Sequence, residues 1–171
     1  MEELTRWFDA EGKEIQKKPM NSNDMEFITE IGGELEESIV GINFYSFQLN
    51  KDEISELLGA KPSKAWNPNE LHPFGNRGGS RMTNWGKWYL NSARDQNDIN
   101  DKVKLLFDGL TKNLEHWKTL TSKYEVWVDI AGYINNWNRG FRLDQQSMKL
   151  LVDRNLEVVF DIYYEQPEGE D

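Results

Sequence analysis

The chain has 171 residues, thirty acidic against twenty basic side chains, a formal net charge of −10 and no cysteine. This length suits one domain that buries its core without disulfide or metal staples, and the missing thiols exclude disulfides, cysteine nucleophiles and thiolate metal sites together. The negative charge repels nucleic-acid phosphates and anionic membranes and speeds encounter with basic proteins, so the expected partner is a protein with a basic surface, not nucleic acid or membrane.

Residues 1–37 read as an N-terminal extension. Within them Trp7, Phe8, Gly12 and Ile15 fit a short hairpin turning at residues 9–12. Charges scattered through this stretch rule out the apolar segment of a secretory signal. No run anywhere approaches the ~20 apolar residues of a membrane-spanning helix, and the expectation is a soluble, cytoplasmic protein. Residues 19–24 are polar and turn-rich, and residues 25–28 fit either an edge strand or a helical turn.

One α+β domain is expected over residues 38–165, followed by an acidic tail at 166–171. Residues 39–47 form an apolar, β-prone run that leads into a helix. Asn50 is its cap, Glu53 its capping-box acid and Leu49 with Ile54 its hydrophobic staple, and the helix should end near Gly59, before Pro62. The same grammar returns at residues 141–152. Both segments fit F-x-L-[N/D]-x-x-x-[I/M]-x-x-L-[L/V], with Asp144 in place of Asn50 and Leu143 with Met148 as the staple.

A β-type run flanks each copy on both sides, at 39–47 and 85–90 for the first and at 124–133 and 156–164 for the second. Between the copies, Ile99, Val103, Leu106, Leu110 and Trp117 mark a helical stripe after a cap at Asp98, which Gly109 and Thr111 divide into two helices. The expected fold is therefore two β-α-β units around one mixed or antiparallel sheet, helices mainly on one face, ferredoxin-like with an inserted helix.

Three motifs carry a family resemblance: L-N-K-D-E-I-S-E-L-L-G-A-K-P-S-K at residues 49–64, W-x-x-W-Y-L-N-S at 85–92 and L-E-V-V-F-D-I-Y-Y at 156–164. Together they resemble a bacterial family catalogued as domain of unknown function 4279, over residues 38–165. The resemblance implies no activity, cofactor or catalytic residue. By analogy, small acidic domains of this kind are candidates for immunity proteins, which bind and silence a toxin.

Candidate chemistry is sparse. His72 and His116 lack metal-ligand spacing, so neither a metal nor another cofactor is expected. His116 reads as a helix-end residue near terminal carbonyls, and His72, beside Pro73, as a loop residue. The loop at residues 74–81 offers Arg77, Gly78, Gly79 and Arg81 as a weak anion cradle, but its spacing matches no nucleotide motif; a flexible connection is the plainer reading. Asp129 and Asp161 each interrupt an apolar strand, and as an acid/base pair they would need environments that separate their pKa values.

The stronger signal is aromatic: seven Trp, six Tyr and eight Phe. Val126, Val128 and Ile130 alternate with Trp127 and Asp129, while Val158, Phe160 and Ile162 alternate with Val159, Asp161 and Tyr163, so one sheet face should be buried and the other aromatic and acidic. Trp127, Asp129, Asp161, Tyr163, Tyr45 and Trp88 are the expected partner-binding residues. Two functions compete. The first is a non-catalytic protein-binding module, most concretely an immunity-type protein that occludes a basic toxin through this face. The second is a small-ligand protein or hydrolase-like enzyme built on the strand carboxylates and the glycine-rich loop.

Overall fold

A computed structural model of the chain describes residues 33–75, 78–135 and 139–165, together with two short strands near the N-terminus. Those two, β1 (Trp7–Phe8) and β2 (Glu14–Ile15), pair antiparallel with Trp7 opposite Ile15, in a unit of their own over residues 1–31. The turn at 9–12, the segment at 19–28 and the tail at 166–171 lie outside the described residues. No helix among the described residues is long and apolar enough to cross a membrane.

The second unit is an α+β domain with one mixed sheet. Its strands are β3 (Glu37–Ser46), β4 (Lys64–Trp66), β7 (Gly86–Asn91), β8 (Glu125–Ile134) and β9 (Glu157–Tyr164), in the order β4-β7-β3-β8-β9. Only β8 and β9 run parallel to each other as neighbours; the remaining pairs are antiparallel. β5 (Leu71–Phe74) and β6 (Gly79–Met82) form a separate two-stranded hairpin.

Period-two alternation along β3 decides which face is buried. Val40, Ile42 and Phe44 are fully buried, as are Val128 and Ile130 of β8 and Trp88 of β7, which stand on the same face. Four helices, α1 (Lys51–Leu58), α2 (Ile99–Asp108), α3 (Leu114–Lys123) and α4 (Gln145–Val152), supply Ile54, Leu58, Val103, Phe107, Trp117, Leu120 and Leu151 to the same core. Each large apolar side chain buried this way contributes about 1.5–3 kcal/mol before entropy is subtracted.

The caps expected from sequence are in place. Asn50 accepts from the N–H groups of Asp52 and Glu53, Gly59 closes α1 with φ 69°, Asp98 accepts from Asn100, and Asp144 accepts from Ser147 at 2.7 Å. Glu53 departs from expectation. Its carboxylate accepts from Lys123 and from the Tyr124 hydroxyl, tying α1 to the end of α3, where the sequence suggested a return to the Asn50 N–H. The second staple is loose, since Met148 is 45 % exposed.

The first β-α-β unit also differs in detail. The strand over Gly86–Asn91 pairs antiparallel beside β3, and α1 is followed by the short β4, which lies beyond β7 and parallel to β3. In the second unit α4 connects β8 directly to its parallel neighbour β9. The two units thus place their second strands differently in the sheet.

Candidate functional site: the open sheet face

The helices cover one face of the sheet, and the alternate strand residues form the other. From β7 come Lys87 and Tyr89, from β3 Ile39, Gly41 and Asn43, from β8 Trp127, Asp129 and Ala131, from β9 Asp161 and Tyr163, and from β4 Trp66. Residues of all five strands line a shallow trough of about 370 Å³. Its floor is low because Gly41 and Ala131 carry little or no side chain, and a Cβ on Gly41 would meet Asn91 Oδ1.

Asp129 is the organising group. Trp127 donates its indole N–H to Oδ1 at 2.7 Å, and Asn43 donates from Nδ2 to Oδ2 at 2.6 Å. Burial raises the Asp129 carboxyl above its ordinary range and the Asp161 charge pushes the same way, while the Trp127 bond, the Lys87 charge and the Asn43 bond oppose. Burial likewise lowers the Lys87 ammonium, against the pull of Asp129. The Lys87 ammonium lies 5.2 Å from the Tyr89 ring centre and 6.0 Å from that of Trp127. The face is therefore aromatic with a cation set among its carboxylates, a feature the strand alternation of Asp129 and Asp161 did not disclose.

Of the expected partner-binding residues, Asp129, Asp161 and Tyr163 line the trough, and Trp127 stands beside it on Asp129. Tyr163 stacks on Tyr133, ring centres 5.3 Å apart, and the Arg94 guanidinium covers the Tyr133 ring at 3.5 Å. Tyr45 sits at one end of the face, in a cluster with Phe47 and Trp85. Trp88 does not belong to the face. It points to the opposite side, fully buried, with its indole N–H donated to Ser55 Oγ at 2.9 Å and Phe44 packed edge-on at 5.4 Å. The pairing of Trp88 with Phe44 puts both side chains under the helices.

Among the described residues of the glycine-rich segment, none lines this trough. Gly78 lies in a turn with φ 75°, Gly79 begins β6, and Arg77 falls outside the described residues. Arg81 folds back: its Nε donates to His72 Nε2 at 3.3 Å and its guanidinium lies 4.2 Å from the Phe74 ring centre. His72 is likewise no loose loop residue. It is buried, stacked at 4.1 Å on Trp66, and its Nδ1 bonds the Glu70 carbonyl, so the hairpin closes the Trp66 end of the face. His116 Nδ1 bonds the Leu57 carbonyl in the last turn of α1 at 2.9 Å, the helix-end role expected of it, although the helix is a neighbouring one.

A hollow of about 420 Å³ lies elsewhere, among Leu35, Asp98, Asn100 and Phe141. Two of its polar side chains serve the fold: Asp98 caps α2, and Asn100 bonds Arg142 and Asp144. Among the described residues no three metal-ligating side chains converge.

Trp66, Lys87, Tyr89 and Asn43 are among the trough residues that strand alternation alone did not select. The signal for Asn43 was present, since it is polar within an apolar strand and shares the phase of Tyr45.

The chain belongs to the family described as a domain of unknown function (DUF4279), whose profile matches residues 34–165. The matched stretch spans all five strands of the sheet and all four helices and begins after β2. No curated protein and no solved structure matches the chain significantly.

Proposed function

We infer that this protein is a non-catalytic binding module whose open sheet face docks a basic protein, most concretely an immunity-type protein that occludes a basic toxin in the cytoplasm. The observation that carries the reading is the face itself: Trp127, Tyr163, Tyr89, Asp129 and Asp161 stand together on the sheet face opposite the four helices, which among the described residues pack on the other side. Aromatic side chains supply contact area at low entropic cost, and carboxylates at their margin select a cationic partner and steer its approach. The net charge of −10 adds long-range attraction. The shared capping grammar of α1 and α4 supports a common, ferredoxin-like β-α-β plan as the scaffold for the face.

The test is affinity capture from the native cell, with the wild-type chain and a Tyr163→Ala/Asp161→Lys double variant as paired baits, together with co-expression of the product of the adjacent reading frame. A basic protein held by the wild type, released by salt and lost by the double variant supports the reading. Equal capture by both baits removes the face from recognition.

A second reading, a small-ligand or hydrolase-like site, draws on the raised Asp129 carboxyl beside the lowered Lys87 ammonium, a pairing of perturbed groups typical of functional clefts. Both Asp129 oxygens already accept hydrogen bonds, which weighs against a proton-transfer role. Protection of the Lys87 amine from acylation by a bound metabolite would favour this alternative.

A further inference from the structure

We propose that β9 is a strand-acceptor edge, and that the basic partner adds to it an extended segment with cationic residues four apart on one face and apolar residues on the other. The inference rests on the protein-binding reading above and specifies how that partner engages. Three observations carry it.

β9 ends the sheet, and among the described residues no strand pairs with its outer side. The Glu165 N–H donates to the Ile134 carbonyl at 2.8 Å, which fixes the direction of the backbone. Since N–H and C=O groups alternate sides along a strand, Val158, Phe160, Ile162 and Tyr164 aim theirs outward, a row of unpaired donors and acceptors.

The side chains are as available as the backbone. Phe160, Ile162 and Tyr164 on the helix side are 49 %, 51 % and 63 % exposed, and Tyr163 on the open side is 47 % exposed. Such an edge on a free chain invites pairing with another strand.

Charge selects the occupant. Glu157 and Asp161 are four residues apart and share the open side of β9. A second copy joined by a two-fold axis would bring four such carboxylates to one face of the junction, in any register, whereas a basic strand neutralises two. Opposite Phe160 and Ile162 the same segment needs apolar residues, which places its cations and its apolar groups on alternate positions.

The probe is a fluorescently labelled octapeptide of alternating lysine and valine, titrated against the full-length protein and followed by anisotropy, with an alternating glutamate–valine peptide as control. Binding should be specific to the lysine peptide. Phe160→Pro removes an outward N–H without touching the bonds to β8, and Phe160→Ala removes the same ring, which packs on Phe141, but keeps that N–H. Phe160→Pro should therefore bind about tenfold more weakly than Phe160→Ala, the effect of one or two lost hydrogen bonds, while the two variants unfold at similar midpoints. Two further peptides, N-methylated at every lysine or at every valine, leave the protein unaltered. Strand addition requires one of them to bind like the parent and the other to fail. Equal binding by both, or binding to Phe160→Pro as tight as to Phe160→Ala, overturns the edge inference, and if Asp161→Lys still abolishes binding the face reading stands without it. No binding of the lysine peptide also overturns strand addition, as does a concentration-dependent dimer of the full chain that Phe160→Pro abolishes, which assigns the edge to a second copy.

Discussion

Asn43 on β3 reaches diagonally across to Asp129 on β8, Nδ2 to Oδ2 at 2.6 Å, where the direct register neighbour of Asp129 is Gly41. The space over Gly41 is taken by the Asn91 side chain, and the bond to Asp129 comes from Asn43, the next residue of the same strand phase. With the Trp127 indole on the other oxygen, the carboxylate is fixed within the sheet face and is a structural acid as well as a surface charge.

Asp129→Ala should therefore cost about 1–3 kcal/mol, because it leaves the Trp127 and Asn43 donors without their acceptor. Asp129→Asn keeps the shape but offers only one acceptor oxygen, and should fall between Asp129→Ala and wild type. Asp161, exposed on the edge strand, should tolerate alanine within about 0.5 kcal/mol. Urea unfolding of the three variants checks the order; an unaffected Asp129→Ala would mean that water replaces the carboxylate.

Trp88 and Tyr163 separate core from surface. Trp88→Ala empties the space between Phe44 and α1 and should cost about 3–5 kcal/mol, with any loss of binding following the loss of fold. Tyr163→Ala should leave unfolding nearly unchanged and reduce partner affinity. Paired measurements of unfolding and affinity on both variants decide whether the two aromatic residues do belong to opposite faces.

The contrast between those two residues marks how far the sequence was legible. Along residues 126–130 of β8 the apolar residues alternate with Trp127 and Asp129, and in β9 Asp161 marks the open phase although Val159 shares it, so the phases of Val128, Asp129, Asp161 and Tyr163 were readable from the chain. Residues 85–90 run Trp-Gly-Lys-Trp-Tyr-Leu, where apolar groups occupy both phases, and only pairing with β3 puts Trp88 under α1 and Lys87 in the trough. The three-residue β4 is too short to show periodicity, and the burial of His72 depends on Trp66, which that strand presents. Caps were legible because they act within a few residues. The Glu53 contact to Lys123 and Tyr124 was not, because it joins segments about seventy residues apart.

Acid should destabilise the protein partly through Asp144. The Lys104 ammonium, aided by the Ser147 N–H, holds its carboxyl down from 3.8 to about 2. A carboxyl depressed in the folded state stabilises the fold above its unfolded pKa, and that contribution disappears as pH falls from 3.8 towards about 2. Glu53 and Glu70 are lowered as well, by Lys123 and Lys51 foremost, and act in the same direction. The midpoint of thermal unfolding should drop through this window, and Asp144→Asn should be less stable than wild type at neutral pH and converge on it near the acid limit. A constant gap between the two curves would show that the cap bond, and not the ion pair, accounts for the stabilisation.

Lys87 and Asp161 should act on recognition with opposite sign. Lys87 is held in the trough at a desolvation penalty that lowers its ammonium, so Lys87→Met should leave stability unchanged or slightly raised. It also removes the positive charge that restrains the Asp129 carboxyl, whose titration should move further upward, a shift that carboxyl-carbon NMR reads directly. With its cation gone the face becomes more negative, and association with a basic partner should quicken severalfold and depend more steeply on salt. Asp161→Lys makes the opposite change at an exposed position, and should slow association by a similar factor and flatten the salt dependence while the fold survives. Asp129→Lys differs from both, since it sets a second ammonium beside Lys87 and breaks the bonds to Trp127 and Asn43, so its loss of binding should come with loss of stability. If Lys87→Met and Asp161→Lys shift the association rate in the same direction, the charge of this face does not steer the partner, and recognition rests on the aromatic residues alone.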